Sequence, residues 1–271
     1  ADEVPASDDN RDLATGVIRH LRVAEHKGGF DLSTHTDCPP GSGLGASSTM
    51  VVALMGAFDA WLKLGLSPYE MASTAFEIER VKLGIHGGRQ DQYTAAFGGF
   101  NFMEFEGDRV LVNPLRISRN AVAELEYSLV LAYTGSSRHS SEIIENQMQN
   151  FASGQGSAIE AMDRTKEVAT ALKEELLRGN YHGFGELLHE AWLQKKQMSD
   201  RISNPQIERL YEAARGAGAL GGKISGAGGG GFMYFFAEFD RRHPVEEALR
   251  AEGADVVYFG FTEEAVRTWV R

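Results

Sequence analysis

Glycine placement constrains this chain most. Of its 31 glycines, many fall in two clusters, Pro39-Pro40-Gly41-Ser42-Gly43-Leu44-Gly45 and Gly221 to Gly231. Glycine loses more chain entropy on folding than any other residue. A cluster therefore points to a tight turn, a second backbone or a ligand that needs the room. The first cluster leads into Val51, Leu54, Met55, Phe58, Trp61 and Leu62, whose spacings of three and four predict the apolar face of a helix. Ser47 or Ser48 is the expected cap. Backbone N–H groups freed by glycine, with the positive end of that helix, would face the loop Gly41 to Ser48, and an anion is the natural tenant. No Gly-Lys-Ser/Thr follows, so this is not a Walker A loop, and the third glycine comes too early for a dinucleotide fingerprint. A plain tight turn before a buried helix is the alternative. The second cluster, Lys223 to Gly231, sits between two apolar strands, where close approach by a backbone or ligand and a flexible hairpin loop are both open.

The remaining pattern reads as α+β without a repeat. Ser67-Pro68-Tyr69-Glu70 is a capping box with proline at the first helical position, predicting a helix with Met71, Ala75 and Ile78 inward that ends near Lys82 to Gly84. Phe100 to Phe105, the turn Glu106-Gly107-Asp108 and Arg109 to Val112 alternate as a hairpin. After Asn113-Pro114 and a polar stretch, an apolar strand runs from Ser128 to Tyr133, and helical patterns extend from about Ser140 to about Gly216. A strand (Gly222 to Ser225), a strand (Phe232 to Phe236), a helix (Pro244 to Ala251), a strand (Val256 to Phe261) and a short helix close the chain. A domain boundary is expected near residue 120, giving domains 1–120 and 121–271.

Composition removes several functions. The chain is 42% hydrophobic and carries a net charge of -11, with no basic cluster to track a nucleic-acid backbone, so nucleic acid is not an expected partner. Apolar runs such as Val51 to Gly56 fall far short of the ~20 residues that span a membrane, so a soluble protein is expected. One cysteine, Cys38, permits no intrachain disulfide, and a reducing cytoplasm is the expected compartment. The opening Ala1-Asp2-Glu3-Val4-Pro5 reads as an internal start.

Chemistry concentrates between Glu79 and Gln92. There one carboxylate, Glu79, stands at a helix end and another, Asp91, just past the glycines of Ile85-His86-Gly87-Gly88. Phosphoryl transfer uses such a pair, one to hold Mg²⁺ and one to accept a hydroxyl proton. Two solvated charges, neutralised by Arg80, Lys82 and Arg89, are the alternative. His20, His26, His35 and His86 are scattered and receive no role.

These segments together resemble the GHMP kinases. The family signature Pro-x-x-x-Gly-Leu-Gly-Ser-Ser matches Pro39 to Ser47, with Ala46 at the first serine, and the family's C-terminal glycine motif matches Lys223 to Gly231. Gly88-Arg-Gln-Asp-Gln-Tyr-x-Ala-Ala-Phe-Gly-Gly-Phe-Asn-Phe102, with Ile224 to Met233, is similar to the sugar-phosphate branch acting on D-glycero-D-manno-heptose 7-phosphate. The resemblance covers essentially the whole chain. It implies an N-terminal α+β domain and a C-terminal ferredoxin-like α+β domain with added helices. It also implies an ATP-dependent kinase that uses Mg²⁺ and phosphorylates the anomeric hydroxyl of the heptose, giving the 1,7-bisphosphate for nucleotide-activated heptose synthesis.

Carried over, Pro40, Gly41, Ser42, Gly43, Leu44, Gly45, Ala46, Ser47 and Ser48, with Gly228 and Gly229, would contact ATP. Ser47 and Glu79 would hold Mg²⁺, and Asp91 would be the base and touch the sugar. Arg89 would assist, and Gly226 and Ala227 would contact the substrate. The residues themselves, not the family motif, offer Ser137 and Arg138 for the second phosphate, between the strand ending at Tyr133 and a helical pattern at Ile143 and Ile144, with a serine-rich cap and a solvated arginine as the alternative. Lys195 and Lys196 read instead as a helix's solvated face. The family's first motif, an Arg-rich strand followed by a Gly-Gly-Gly-Thr-Asp-type segment, is absent, so the chain is expected to begin some tens of residues inside the family's first domain. A kinase for a fucose- or galactose-type sugar, a non-catalytic nucleotide or sugar sensor, and pairing into a homodimer stay open.

Overall fold

The computed structural model describes residues 12–26, 28–39, 41–135, 140–154 and 156–270. They form two compact units. The first comprises the described parts of Ala1–Pro39, Gly45–Pro114 and Thr262–Arg271, and the second those of Pro40–Leu44 and Leu115–Phe261.

The first unit carries α1 (Leu13–His20), α2 (Ala46–Leu62), α3 (Pro68–Phe76), α4 (Gln90–Phe97) and the antiparallel hairpin β1 (Asn101–Glu106) and β2 (Arg109–Pro114). Helix α3 starts on the expected capping box: the Glu70 N–H donates to Ser67 Oγ, and the Ser67 N–H donates to the Glu70 carboxylate. Past Phe76 the helix widens into a π-helical turn, Glu77–Lys82, closed by the Leu83 N–H on the Ile78 carbonyl. Val17, Val51, Met55, Phe58, Ala75, Ile78 and Tyr93 lie in the buried core.

Helix α2 departs from expectation at both ends. Its cap is Gly45, at φ 74°, with no side-chain bond, so neither Ser47 nor Ser48 caps it. Both serines sit inside the first turn with their hydroxyls committed elsewhere. Trp61, expected on the buried face, is 44% exposed and meets Phe30 edge-on, because the core has run out where Lys63 turns the chain out of the helix.

The second unit contains α5 (Arg119–Ser128), β3 (Leu129–Tyr133), α6 (Ser140–Ala152), α7 (Gly156–Arg178), α8 (Tyr181–Gln197), α9 (Pro205–Gly216), β4 (Ala219–Ile224), β5 (Phe232–Ala237), α10 (Arg242–Ala251) and β6 (Asp255–Val257). The four strands pair antiparallel in the order β4-β5-β3-β6. Taken as β3, helices, β4, β5, α10, β6, this is the split βαββαβ arrangement, with α6 to α9 on the first connection. The ferredoxin-like expectation therefore holds. Trp192, Ile207, Leu210, Ile224, Met233 and Phe235 lie in its core.

Two elements correct the sequence reading. The polar stretch after Pro114 contains α5, which periodicity misses because only Leu125 and Ser128 of it are buried; Ser118 caps it by accepting the Ala121 N–H. No helix follows β6 among the described residues. The terminal segment packs in the first unit through its own main chain, the Ala265 nitrogen lying 2.5 Å from where a Gly98 β-carbon would stand. A helix would have hidden that main chain inside its own bonds.

Candidate active site

Glu79 is the most enclosed charge of the first unit, with no exposed surface. A buried carboxylate must be hydrogen-bonded to persist. Its Oε1 accepts the Ser47 hydroxyl at 2.6 Å, and its Oε2 accepts the Ser48 hydroxyl at 2.7 Å and the Gln92 amide at 2.5 Å. The π-helical turn, a backbone form frequent at functional sites, buries the neighbours Ile78 and Glu79 together. The solvated-charge alternative therefore fails for Glu79.

Asp91 is the second residue of α4. The start of α2 presses against it: a β-carbon on Gly45 would stand 3.3 Å from Asp91 Cγ. Burial raises the Asp91 pKa above its ordinary value, and the Glu79 charge adds to this. A Gln90 hydrogen bond and the Arg80 charge oppose it. The helix start, the Glu79 cluster and a partly desolvated carboxyl group are thus one neighbourhood within the first unit.

Arg80 and Gln92 belong to it as well. The Arg80 guanidinium lies 3.9 Å from Glu79 and donates to the carbonyls of Ile85, His86 and Gly88, fixing the loop that leads to Asp91. Sequence reasoning named Arg80 only as a neutralising charge, and gave Gln92 no role although it directly follows Asp91. Arg89, expected to assist the base, instead holds Asp108 in the β1–β2 turn at 2.9 Å and lies over the Phe76 ring. Lys82 pairs with Glu77.

In the second unit the residues 41–44 dock on the C-terminal glycine motif. The Phe232 N–H donates to the Ser42 carbonyl at 3.0 Å and the Ser225 hydroxyl to the Gly43 carbonyl at 2.8 Å. A β-carbon on Gly226 would stand 2.8 Å from Gly43 Cα, and one on Gly231 would overlap the Ser42 carbonyl oxygen. A second backbone therefore accounts for these two glycines. Gly228 and Gly229 face Ile202: the Gly229 N–H donates to its carbonyl, and a Gly228 β-carbon would lie 2.8 Å from the same oxygen. The Ala227 carbonyl accepts from Gln147 and the Gly226 carbonyl from Lys195. Lys195 is thus half-buried on the motif, not on a solvated face, while Lys196 is neutralised by both Glu208 oxygens. Pro40, Ser137 and Arg138 lie outside the described residues.

An open cavity of about 500 Å³ in the same unit is lined by Tyr127, Phe239, Arg242, Glu246 and Tyr258 among others. No residue of either glycine motif lines it.

Mg²⁺ takes hard oxygen donors and keeps several waters. Among the described residues no cluster of three or more His, Cys, Asp or Glu gathers, but the Ser47 hydroxyl and Glu79 carboxylate form a hard-oxygen pair. The buried Gln92 Oε1 beside them has no hydrogen-bond partner. This donor set fits Mg²⁺. Among the described residues no helix is long and apolar enough to cross a membrane.

Residues 12–99 match the GHMP kinases N terminal domain and residues 172–255 the GHMP kinases C terminal domain. The D-glycero-alpha-D-manno-heptose 7-phosphate kinase of Campylobacter jejuni subsp. jejuni serotype O:2 is 46% identical over 241 residues, covering 89% of this chain and 70% of that protein. The crystal structure of a D-glycero-D-manno-heptose 1-phosphate kinase from Bacteriodes thetaiotaomicron superposes with a TM-score of 0.76 at 39% identity, over 97% of this chain and 74% of that one. A sugar kinase structure from Campylobacter jejuni gives a TM-score of 0.75 at 42% identity, over 95% and 75% of the two chains.

Proposed function

The chain belongs to the GHMP kinase family, and from that premise we propose that it transfers the γ-phosphate of ATP to the anomeric hydroxyl of D-glycero-D-manno-heptose 7-phosphate, giving the 1,7-bisphosphate. The chemistry is carried by one observation: the uncapped start of α2, the Ser47–Glu79 pair and the desolvated Asp91 lie together. The choice of sugar is supported by the 46% identical heptose 7-phosphate kinase.

Each residue has a task that its surroundings suit. No side chain caps α2, which leaves the N–H groups of its first turn to an anion, and Gly45 lets the backbone approach it without a β-carbon. Ser47 Oγ and the Glu79 carboxylate would hold Mg²⁺, which when bound draws charge from the phosphate oxygens. Ser48 and Gln92 orient Glu79 by occupying its other oxygen. Asp91 takes the proton of the anomeric hydroxyl as the sugar oxygen bonds to phosphorus, and the bond to ADP breaks on the opposite side. Its raised pKa makes it a stronger base than an exposed aspartate, and the Arg80 charge keeps the carboxylate form in use.

ADP release measured with heptose 7-phosphate, heptose 1-phosphate, fucose, galactose and mevalonate tests this directly. Turnover with the 7-phosphate at least a hundredfold above the others is expected. Comparable turnover on fucose or galactose would refute the sugar assignment, and binding of nucleotide without turnover on any of them would refute the kinase.

A further inference from the structure

Ser47 and Ser48 stand in the first turn of α2 and Gln92 in the first turn of α4, and all three donate to the Glu79 carboxylate. One buried acid therefore pins two helix starts together, and every group concerned belongs to the first unit. Gln92 is the donor on the α4 side and the residue directly after Asp91. Asp91 in turn meets α2, its Cγ lying 3.3 Å from where a Gly45 β-carbon would stand. The three donors are neutral, so Glu79 keeps its charge for a cation, and the Arg80 guanidinium stays 3.9 Å away.

The amide holds this place at a cost. Gln92 has no exposed surface, and its Oε1 has no hydrogen-bond partner. A buried unpaired polar atom works against the folded state. Turning the amide over would aim its oxygen at the Glu79 carboxylate and leave both ends unpaired, so the carboxylate fixes the orientation. An apolar side chain of similar length, such as methionine, would fill the space without the orphaned oxygen, and packing alone does not account for a glutamine here. What the amide adds is a neutral donor long enough to reach Glu79 from α4.

We propose that Gln92 is a positioning residue that sets the distance between the base and the transferred phosphate: by tying α4 to Glu79, and through Glu79 to Ser47 and Ser48, it holds Asp91 at a fixed place against the start of α2. The inference rests on the kinase reading, in which the first turn of α2 holds the phosphates and Asp91 takes the sugar proton. Gln92 acts through its neighbours and transfers no proton itself. A base displaced by as little as an ångström loses much of its effect, so one hydrogen bond far from the reacting atoms reaches the rate.

The test is a double-mutant cycle in the full chain with Gln92→Met, Glu79→Gln and the two combined, assayed with ATP and heptose 7-phosphate. Gln92→Met should lower kcat about tenfold, the equivalent of one lost bond to a charged group. The KM for ATP should stay within about twofold, and Tm should stay close to the parent's, because the unpaired oxygen leaves together with the donor. In the Glu79→Gln background the same substitution should change kcat less than about twofold, since the tie is already broken. If Gln92→Met does not fold, Gln92→Asn takes its place with the same expectations, its amide being one methylene too short to reach Glu79. An unchanged kcat would overturn the proposal. So would an equal loss in both backgrounds, because the amide would then act by a route other than Glu79, and so would a fall in kcat matched by a rise in the ATP constant and a lowered Tm, which is the mark of packing. The parent's own turnover separates the two readings: a parent inactive on heptose 7-phosphate refutes the activity, whereas an active parent with an unaffected Gln92→Met variant refutes only the positioning role.

Discussion

Replacing Asp91 by asparagine should lower activity and raise stability at the same time, a pairing that few substitutions produce. The side chain keeps its shape and loses its charge. As the proposed general base, Asp91 accounts for a factor of about 10² or more in kcat, which is about 3 kcal/mol of transition-state free energy. ATP affinity should change little, because the first turn of α2 and the Glu79 cluster are untouched. The stability effect follows from the surroundings of the carboxyl group. Burial, with the nearby Glu79 charge, holds its folded-state pKa above the ordinary 3.8. A carboxyl group raised in this way favours the folded state at low pH, and that contribution is lost as pH rises through the folded pKa. At neutral pH the charged Asp91 is therefore a cost, and Asn removes it. Urea unfolding at pH 7 should place the midpoint of Asp91→Asn above that of the parent, and the two curves should converge as the pH drops below the raised pKa. The parent's kcat/KM should fall on the acid side at a pH above that of an exposed aspartate. Turnover by the variant above a tenth of the parent rate, or a variant less stable than the parent at pH 7, would refute the placement of Asp91 as a desolvated base.

Three further substitutions separate the parts of the site. Glu79→Gln puts an amide among the Ser47, Ser48 and Gln92 donors; it should cost about 1–3 kcal/mol of stability and raise the Mg²⁺ concentration for half-maximal rate about tenfold, and an unchanged Mg²⁺ profile would move the metal elsewhere. Gly45→Ala places a β-carbon 3.3 Å from Asp91 Cγ at a residue with φ of 74°, so kcat should fall at least tenfold with about 1 kcal/mol or more of lost stability; full activity in a steady-state assay would contradict the geometry. Gly228→Val drives side-chain atoms into the Ile202 main chain, where even a β-carbon would stand 2.8 Å from the carbonyl oxygen, and should cost several kcal/mol in a denaturant titration; a folded variant impaired only in ATP binding would show that this glycine serves the nucleotide directly.

Local rules were readable from the sequence wherever the determinant was local. The Ser67–Glu70 capping box, the β1–β2 hairpin around Gly107 and the apolar strands β3 and β5 all depend on residues within a few positions of one another, and each forms as its pattern predicts. Helix α5 failed that reading because its burial is nearly confined to Leu125, too little to print a period. The terminal segment failed for the opposite reason, since its partner is the distant Gly98 and its contact is made by main chain that no side-chain pattern encodes.

The site was legible by residue type and not by partner. Ser47, Glu79 and Asp91 stand out as hydroxyl and carboxylates near glycine turns, but burial decides whether a carboxylate is solvated surface or a buried acceptor of three hydrogen bonds, and burial is a tertiary property. Arg80 and Arg89 show the limit. Both flank the loop in sequence, Arg89 is nearer to Asp91, and yet Arg80 is the guanidinium whose charge reaches it, because Arg89 is drawn to Asp108 in the hairpin turn. The two glycine clusters were ambiguous in the same way. The first allowed an anion or a plain tight turn, the second a close ligand or backbone or a flexible hairpin, and nothing local could choose. Ser225 and Gly43, 182 residues apart, are joined by a hydrogen bond, and the β-carbons forbidden at Gly226 and Gly231 are those that would strike residues 42 and 43. The clusters are therefore partly one feature: the second is stripped of side chains so that the first can dock on it, and the room attributed to a ligand is in part room for the chain itself.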